Sequence, residues 1–108
     1  MLPLGRPKVA RLKEGRSLAD VATLRLNKCY LLVAASDGVA TLHLTLALRD
    51  PPPKVDGKLL ELSQPGPLAF LPFGTCFKWT LSPLAAARFF VEAEKGDGLV
   101  AAQLFEQK

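Results

Sequence analysis

Alternation of apolar and polar residues carries most of what this 108-residue chain says about itself. From Ala40 to Leu48 the pattern puts Ala40, Leu42, Leu44, Leu46 and Leu48 on one side of a strand, with Thr41, His43 and Thr45 on the other. Such a strand packs one face on a core and turns the other to solvent or a ligand. Tyr30-Leu31-Leu32-Val33 precedes it across Ser36-Asp37-Gly38, and Asp-Gly between apolar strands predicts a tight hairpin. Further upstream, Ala22, Leu24 and Leu26 alternate with Thr23 and Arg25, which predicts a strand over about 21–26. Asn27-Lys28 then turns the chain into 29–35, because asparagine tolerates the left-handed conformation. Lys8 to Lys13 reads as an edge strand or a tail ending at the Glu14-Gly15 turn.

The second half is more broken. Three consecutive prolines, Pro51 to Pro53, make 50–57 a stiff connector. Strand signals resume at Lys58 to Ser63, and Pro65, Pro67 and Pro72 reduce 68–73 to a short edge strand. Thr75, Phe77, Trp79 and Leu81 then alternate with Cys76, Lys78 and Thr80. Ser82 is a good N-cap, Pro83 suits a first helical turn, and Leu84 to Lys95 holds strong helix formers ahead of Gly96, so a helix is predicted over about 83–95. Arg88, Glu92 and Lys95 form its polar stripe. After the Gly96-Asp97-Gly98 reversal, Leu99 to Phe105 reads as a last strand, with a short helix as the alternative. The predicted class is α+β, a mainly antiparallel β-sheet of about five to seven strands packed against one C-terminal helix. All of 1–108 forms one domain, with 1–16 a basic arm or an edge strand.

Composition narrows this further. With 49% hydrophobic and 22% charged residues the chain has enough apolar surface to fold around a core. No apolar run reaches the roughly 18 residues of a membrane helix. The start has no apolar stretch after a basic one, so a secretory signal is not expected and a cytosolic location is. Cys29 and Cys76 form no Cys-x-x-Cys pair and are expected as reduced thiols, an inter-strand disulfide being the alternative. Few Asn and Gln beside many Lys, Arg, Ala, Leu and Pro lean towards a thermophilic source.

Charge is unevenly placed. Of the net +4, residues 1–28 carry +5, from Arg6, Lys8, Arg11, Lys13, Arg16, Arg25 and Lys28 against Glu14 and Asp20; residues 29–57 carry −1 and 58–108 carry zero. One basic surface facing phosphates is the expectation. His43, between Thr41 and Thr45, either contacts a ligand or merely faces solvent. Lys78 between Phe77 and Trp79 suggests a platform on which bases stack, unless both aromatics face the core. Phe89 and Phe90 would point about 100° apart on a helix, leaving one exposed. With Phe73 they mark a protein interface.

A single histidine, scattered carboxylates and the absence of phosphate-loop, dinucleotide or nucleophile-elbow motifs leave no catalytic set, metal site, cofactor or small-molecule substrate to predict. The functional expectation is a non-enzymatic module binding single-stranded DNA or RNA through Arg6, Lys8, Arg11, Lys13, Arg16, Arg25, Lys28, His43, Lys78 and Trp79. The alternative is a structural subunit that docks on another protein or on itself, as a homo-oligomer, through Phe73, Phe89, Phe90 and edge strands.

Overall fold

The computed structural model describes residues 2–49, 57–72 and 74–107, and these fold as nine strands with no helix. They are β1 (Leu2–Leu12), β2 (Ser17–Arg25), β3 (Cys29–Asp37), β4 (Thr41–Leu48), β5 (Lys58–Pro65), β6 (Leu68–Leu71), β7 (Phe77–Lys78), β8 (Leu84–Lys95) and β9 (Gly98–Gln107). Two antiparallel sheets result. Sheet I runs β1-β9-β3-β6, with β7 also paired to β3, and sheet II runs β2-β8-β4-β5. The core lies between them, because each strand turns alternate apolar residues inward: Tyr30, Leu32 and Ala34 from β3, Leu42, Leu44 and Leu46 from β4, Ala87, Phe89, Val91 and Ala93 from β8, and Val100, Ala102 and Leu104 from β9. The polypeptide changes sheet at every connection except β4 to β5 and β6 to β7.

The predicted C-terminal helix is overturned, and with it the α+β class: residues 84–95 are β8, the second strand of sheet II. Helix propensity differs among ordinary residues by less than about 1 kcal/mol each, a preference that tertiary pairing overrides. Here β8 bonds on both edges, to β2 from Ser17↔Glu92 to Arg25↔Leu84 and to β4 from Leu42↔Ala93 to Leu48↔Ala87. The same residues that space Arg88, Glu92 and Lys95 like a helix also alternate Ala85, Ala87, Phe89, Val91 and Ala93 like a strand. Phe89 and Phe90 therefore point to opposite faces of one sheet.

The Asp37-Gly38 hairpin is corrected too. Gly38 does take a left-handed φ of 100°, but β3 and β4 lie in different sheets and share no ladder. Each is an inner strand with partners on both sides. The turn is a corner where the chain steps across the core, with Val39 buried in the step. It backs against the β8–β9 corner so closely that a Cβ on Gly98 would clash with the Asp37 carbonyl oxygen. Asn27 has φ 64° as its turn requires, yet it too joins strands of different sheets. The strand expected over 75–81 shrinks to Phe77–Lys78, and Leu99 to Phe105 lies within β9 as expected.

The cysteines are not reduced: Cys29 and Cys76 form a disulfide, with Cα atoms 5.6 Å apart. The pairing of Cys29 with Lys78 brings the chain just before β7 alongside the start of β3. No helix among the described residues is long and apolar enough to cross a membrane. The proline connector, 50–56, lies outside the described residues.

Candidate functional site

Strands β3 and β9 are apolar on both faces, whereas a sandwich covers only one. Cross-strand register sorts the outward residues of sheet I into four rows that end on a fifth, polar one of Gln107, Cys29 and Lys78. The first is Arg11, Leu99 and Asp37; the second is Val9, Ala101, Ala35 and Leu68. Gln103, Val33 and Phe70 make the third, and Pro3, Phe105 and Leu31 the fourth. No strand of the described chain packs over these rows. Val9, Leu68 and Leu99 are 57%, 49% and 42% exposed.

The face has relief. The β1 ladder is interrupted between Leu4 and Lys8, with Gly5 at φ 70°. Beside this bulge lies a hollow of about 170 Å³, lined by Pro7, Val33, Ala35, Ala101 and Phe105 among others. The polar rim is sparse: Arg11 and Asp37 stand at one end, and Lys78, opposite Cys29, at the other.

The outer face of sheet II is different in character, for it is mostly polar, although Val21, Leu84 and Phe90 also lie on it. Ser17, Glu92, His43 and Ser63 share one row, and Ala19, Phe90, Thr45 and Glu61 the next. The Gly66 N–H donates to the Ala40 carbonyl, so by alternation His43 and Ser63 form a non-hydrogen-bonded pair, the kind whose side chains approach most closely. His43 Nδ1 lies 2.6 Å from the Ser63 hydroxyl oxygen and Nε2 lies 2.9 Å from the Glu61 carboxylate, which Lys58 also meets at 2.9 Å. An ionised carboxylate only accepts, so Nε2 carries a proton; in the neutral ring Nδ1 accepts from Ser63. Lys58 first, then His43, hold the Glu61 carboxyl below the usual range. This chain of contacts stitches edge strand β5 to β4.

A third cluster closes one end of the sandwich. Glu106 occupies an inward position of β9, opposite Tyr30, and is 5% exposed. The Tyr30 hydroxyl donates to Glu106 at 2.8 Å and accepts the Arg25 backbone N–H at 2.6 Å, while the Arg25 guanidinium donates to Glu106 through both Nε and Nη2. Arg25, and then Tyr30, hold the Glu106 carboxyl down against the opposing effect of burial. Burial, in turn, pushes the Tyr30 phenol up. The network borders a cleft of about 450 Å³ between β1 and β2.

The residues singled out in the sequence are dispersed. Arg6, Lys8 and Arg11 are exposed on β1, and Lys13 and Arg16 in the turn after it. Arg25 and Lys28 sit at the far end of β2, whose nine residues span about 27 Å at roughly 3.3 Å each. Arg25 is engaged by Glu106. Lys78 is exposed near the Lys28 end, but Trp79 is buried and its indole N–H donates to the Ser82 carbonyl at 2.9 Å. Phe89 is core, Phe90 half-buried on the outside of sheet II, and Phe73 outside the described residues.

Glu106 and the outer apolar rows were not singled out in the sequence. Their signals were a carboxylate in step with Val100, Ala102 and Leu104, and the second apolar register of β3 and β9. No protein-family model matches this chain, and no curated protein is similar to it.

Proposed function

We propose that this chain is a structural subunit that associates with copies of itself through the outer face of sheet I. The observation that carries the reading is the double-sided apolar character of β3 and β9, with nothing in the described chain over the second side. Apolar surface left in water costs about 25 cal/mol per Å², and contiguous patches rimmed by polar groups mark association sites. The face belongs to inner strands held by ladders on both sides, so it is a preformed platform rather than a loop that must be ordered first.

Single-stranded nucleic acid is the rival ligand, supported by the five exposed cations from Arg6 to Arg16. Against it weigh the separation of Arg25 and Lys28 from Lys13 and Arg16, at the opposite end of β2, the commitment of Arg25 to Glu106, and the burial of Trp79, which withdraws the strongest stacking surface. A cytosolic setting belongs to the same proposal: a structural disulfide and a thermophilic composition occur together in intracellular proteins of hyperthermophiles.

Light scattering across a concentration series tests the reading. The wild-type mass rises above the 11.7 kDa of one chain, Val33→Asp stays at one chain, and Ala86→Asp, on the outside of sheet II, behaves as wild type. A wild-type protein that remains single at the highest concentration refutes it. A fluorescence anisotropy change with labelled oligonucleotides at about 50 mM salt, abolished by neutralising Arg11, Lys13 and Arg16, would favour the rival.

A further inference from the structure

Resting on that reading, we infer that the partner is a single second copy, docked in a closed dimer whose two-fold axis lies in the plane of the face and runs along β9. The first observation is charge. In the end row, Leu99 of β9 has Arg11 on one side, on β1, and Asp37 on the other, on β3. Among the described residues neither makes an ion pair within its own chain. Rotation by 180° about an axis along β9 keeps each row at its own end but exchanges left and right. Each Arg11 is thereby laid over the partner copy's Asp37, twice per dimer.

The second observation, independent of the first, is shape. In the next row the same rotation lays Val9, the most exposed of the large outer apolar residues of sheet I, over Ala35 of the other copy, which lines the hollow with Val33 and Ala101. A protruding side chain on β1 meets a recess on β3, and the operation supplies both contacts at once. Residues on the axis, Leu99, Ala101, Gln103 and Phe105, meet their own counterparts, as an isologous interface requires.

The area is that of a weak, reversible dimer. Strands about 4.8 Å apart and outward residues about 6.8 Å apart along each strand give the three strands that overlap about this axis, β1, β9 and β3, roughly 390 Å² of flat face per copy over four rows, or about 780 Å² per pair before side-chain relief. β6, with Leu68 and Phe70, lies beyond the overlap. The two-fold pairs each copy's β1 with the other's β3, so the assembly stops at two and builds no filament.

A two-fold axis across the strands would instead carry Asp37 towards Lys78 and leave Arg11 without a partner. Charge exchange separates the two arrangements. Sedimentation equilibrium is run on wild type, Arg11→Asp, Asp37→Arg, the double variant, Lys78→Glu and Val33→Asp, with a thermal melt of each to show that it is folded. Each Arg11 or Asp37 single variant sets like charges together twice and raises the dimer dissociation constant at least about 30-fold. The double variant recovers to within about 5-fold of wild type, and Lys78→Glu stays near wild type. If Val33→Asp abolishes association while the exchange restores nothing, the β9 two-fold is wrong and the docking face stands. A wild type that is one chain throughout, or grows beyond two, overturns the dimer; only the former also overturns the docking face.

Discussion

Replacing Tyr30 with phenylalanine isolates the polar lock at the end of the sandwich. The substitution removes one oxygen from a side chain that is 1% exposed and leaves the ring, with its packing, in place. That oxygen makes two bonds. It donates to the buried Glu106 carboxylate, and it accepts the backbone N–H of Arg25 in a part-buried bond. The carboxylate keeps its bonds from the Arg25 side chain but loses its only other donor among the described residues. A hydrogen bond to a charged group contributes about 1.5–3 kcal/mol, so the loss is about 2 kcal/mol. In a domain of this size that lowers the melting temperature by roughly 8 °C or more. Urea unfolding is the assay: the midpoint falls while the slope stays constant, because the surface exposed on unfolding is unchanged. A destabilisation below about 0.5 kcal/mol would show that the Tyr30–Glu106 bond is not formed, or is as good with water.

Other consequences follow from the same structure. Glu106 has a lower pKa folded than unfolded, so its stabilisation is full above the unfolded value of about 4.3 and is lost as pH falls through the folded value. Acid titration of stability shows that loss in wild type and not in Glu106→Gln. Phe89→Ala destabilises by about 3–5 kcal/mol and Phe90→Ala by less than about 1 kcal/mol, as opposite faces of a strand demand; comparable losses would restore the helix. The Cys29–Cys76 bond closes a separation of 47 residues, so the Cys29→Ser, Cys76→Ser variant is less stable by up to about 4 kcal/mol in chemical denaturation. Gly98→Ala forces a methyl against the Asp37 carbonyl and costs about 2–3 kcal/mol or more, read as a lower urea midpoint.

What was legible in the sequence was the period. The two-residue alternation of β4 fixed its inward and outward faces correctly, and Asn27 marked its left-handed turn. What was not legible was pairing. Asp-Gly specifies a backbone conformation at Gly38 but not whether the next strand returns beside β3 or crosses the core. Ser82-Pro83 and the alanines of β8 satisfy a helix locally, and only the unsatisfied edges of β2 and β4, neighbours in space but not in sequence, call for a strand. The disulfide was hidden for the same reason, since its cysteines meet through the β3–β7 ladder. The outer face of sheet I was written as a second apolar register in β3 and β9. It reads as excess hydrophobicity until the sheets show that one side is already used.

Methyl-labelled spectra recorded on dilution test the docking face most directly. Between concentrated and dilute samples the account predicts shift changes at Val9, Leu31, Val33 and Leu99, with Val21 and Leu84 on the outside of sheet II unmoved. Changes centred on Val21 and Leu84, or none at any concentration, would contradict it.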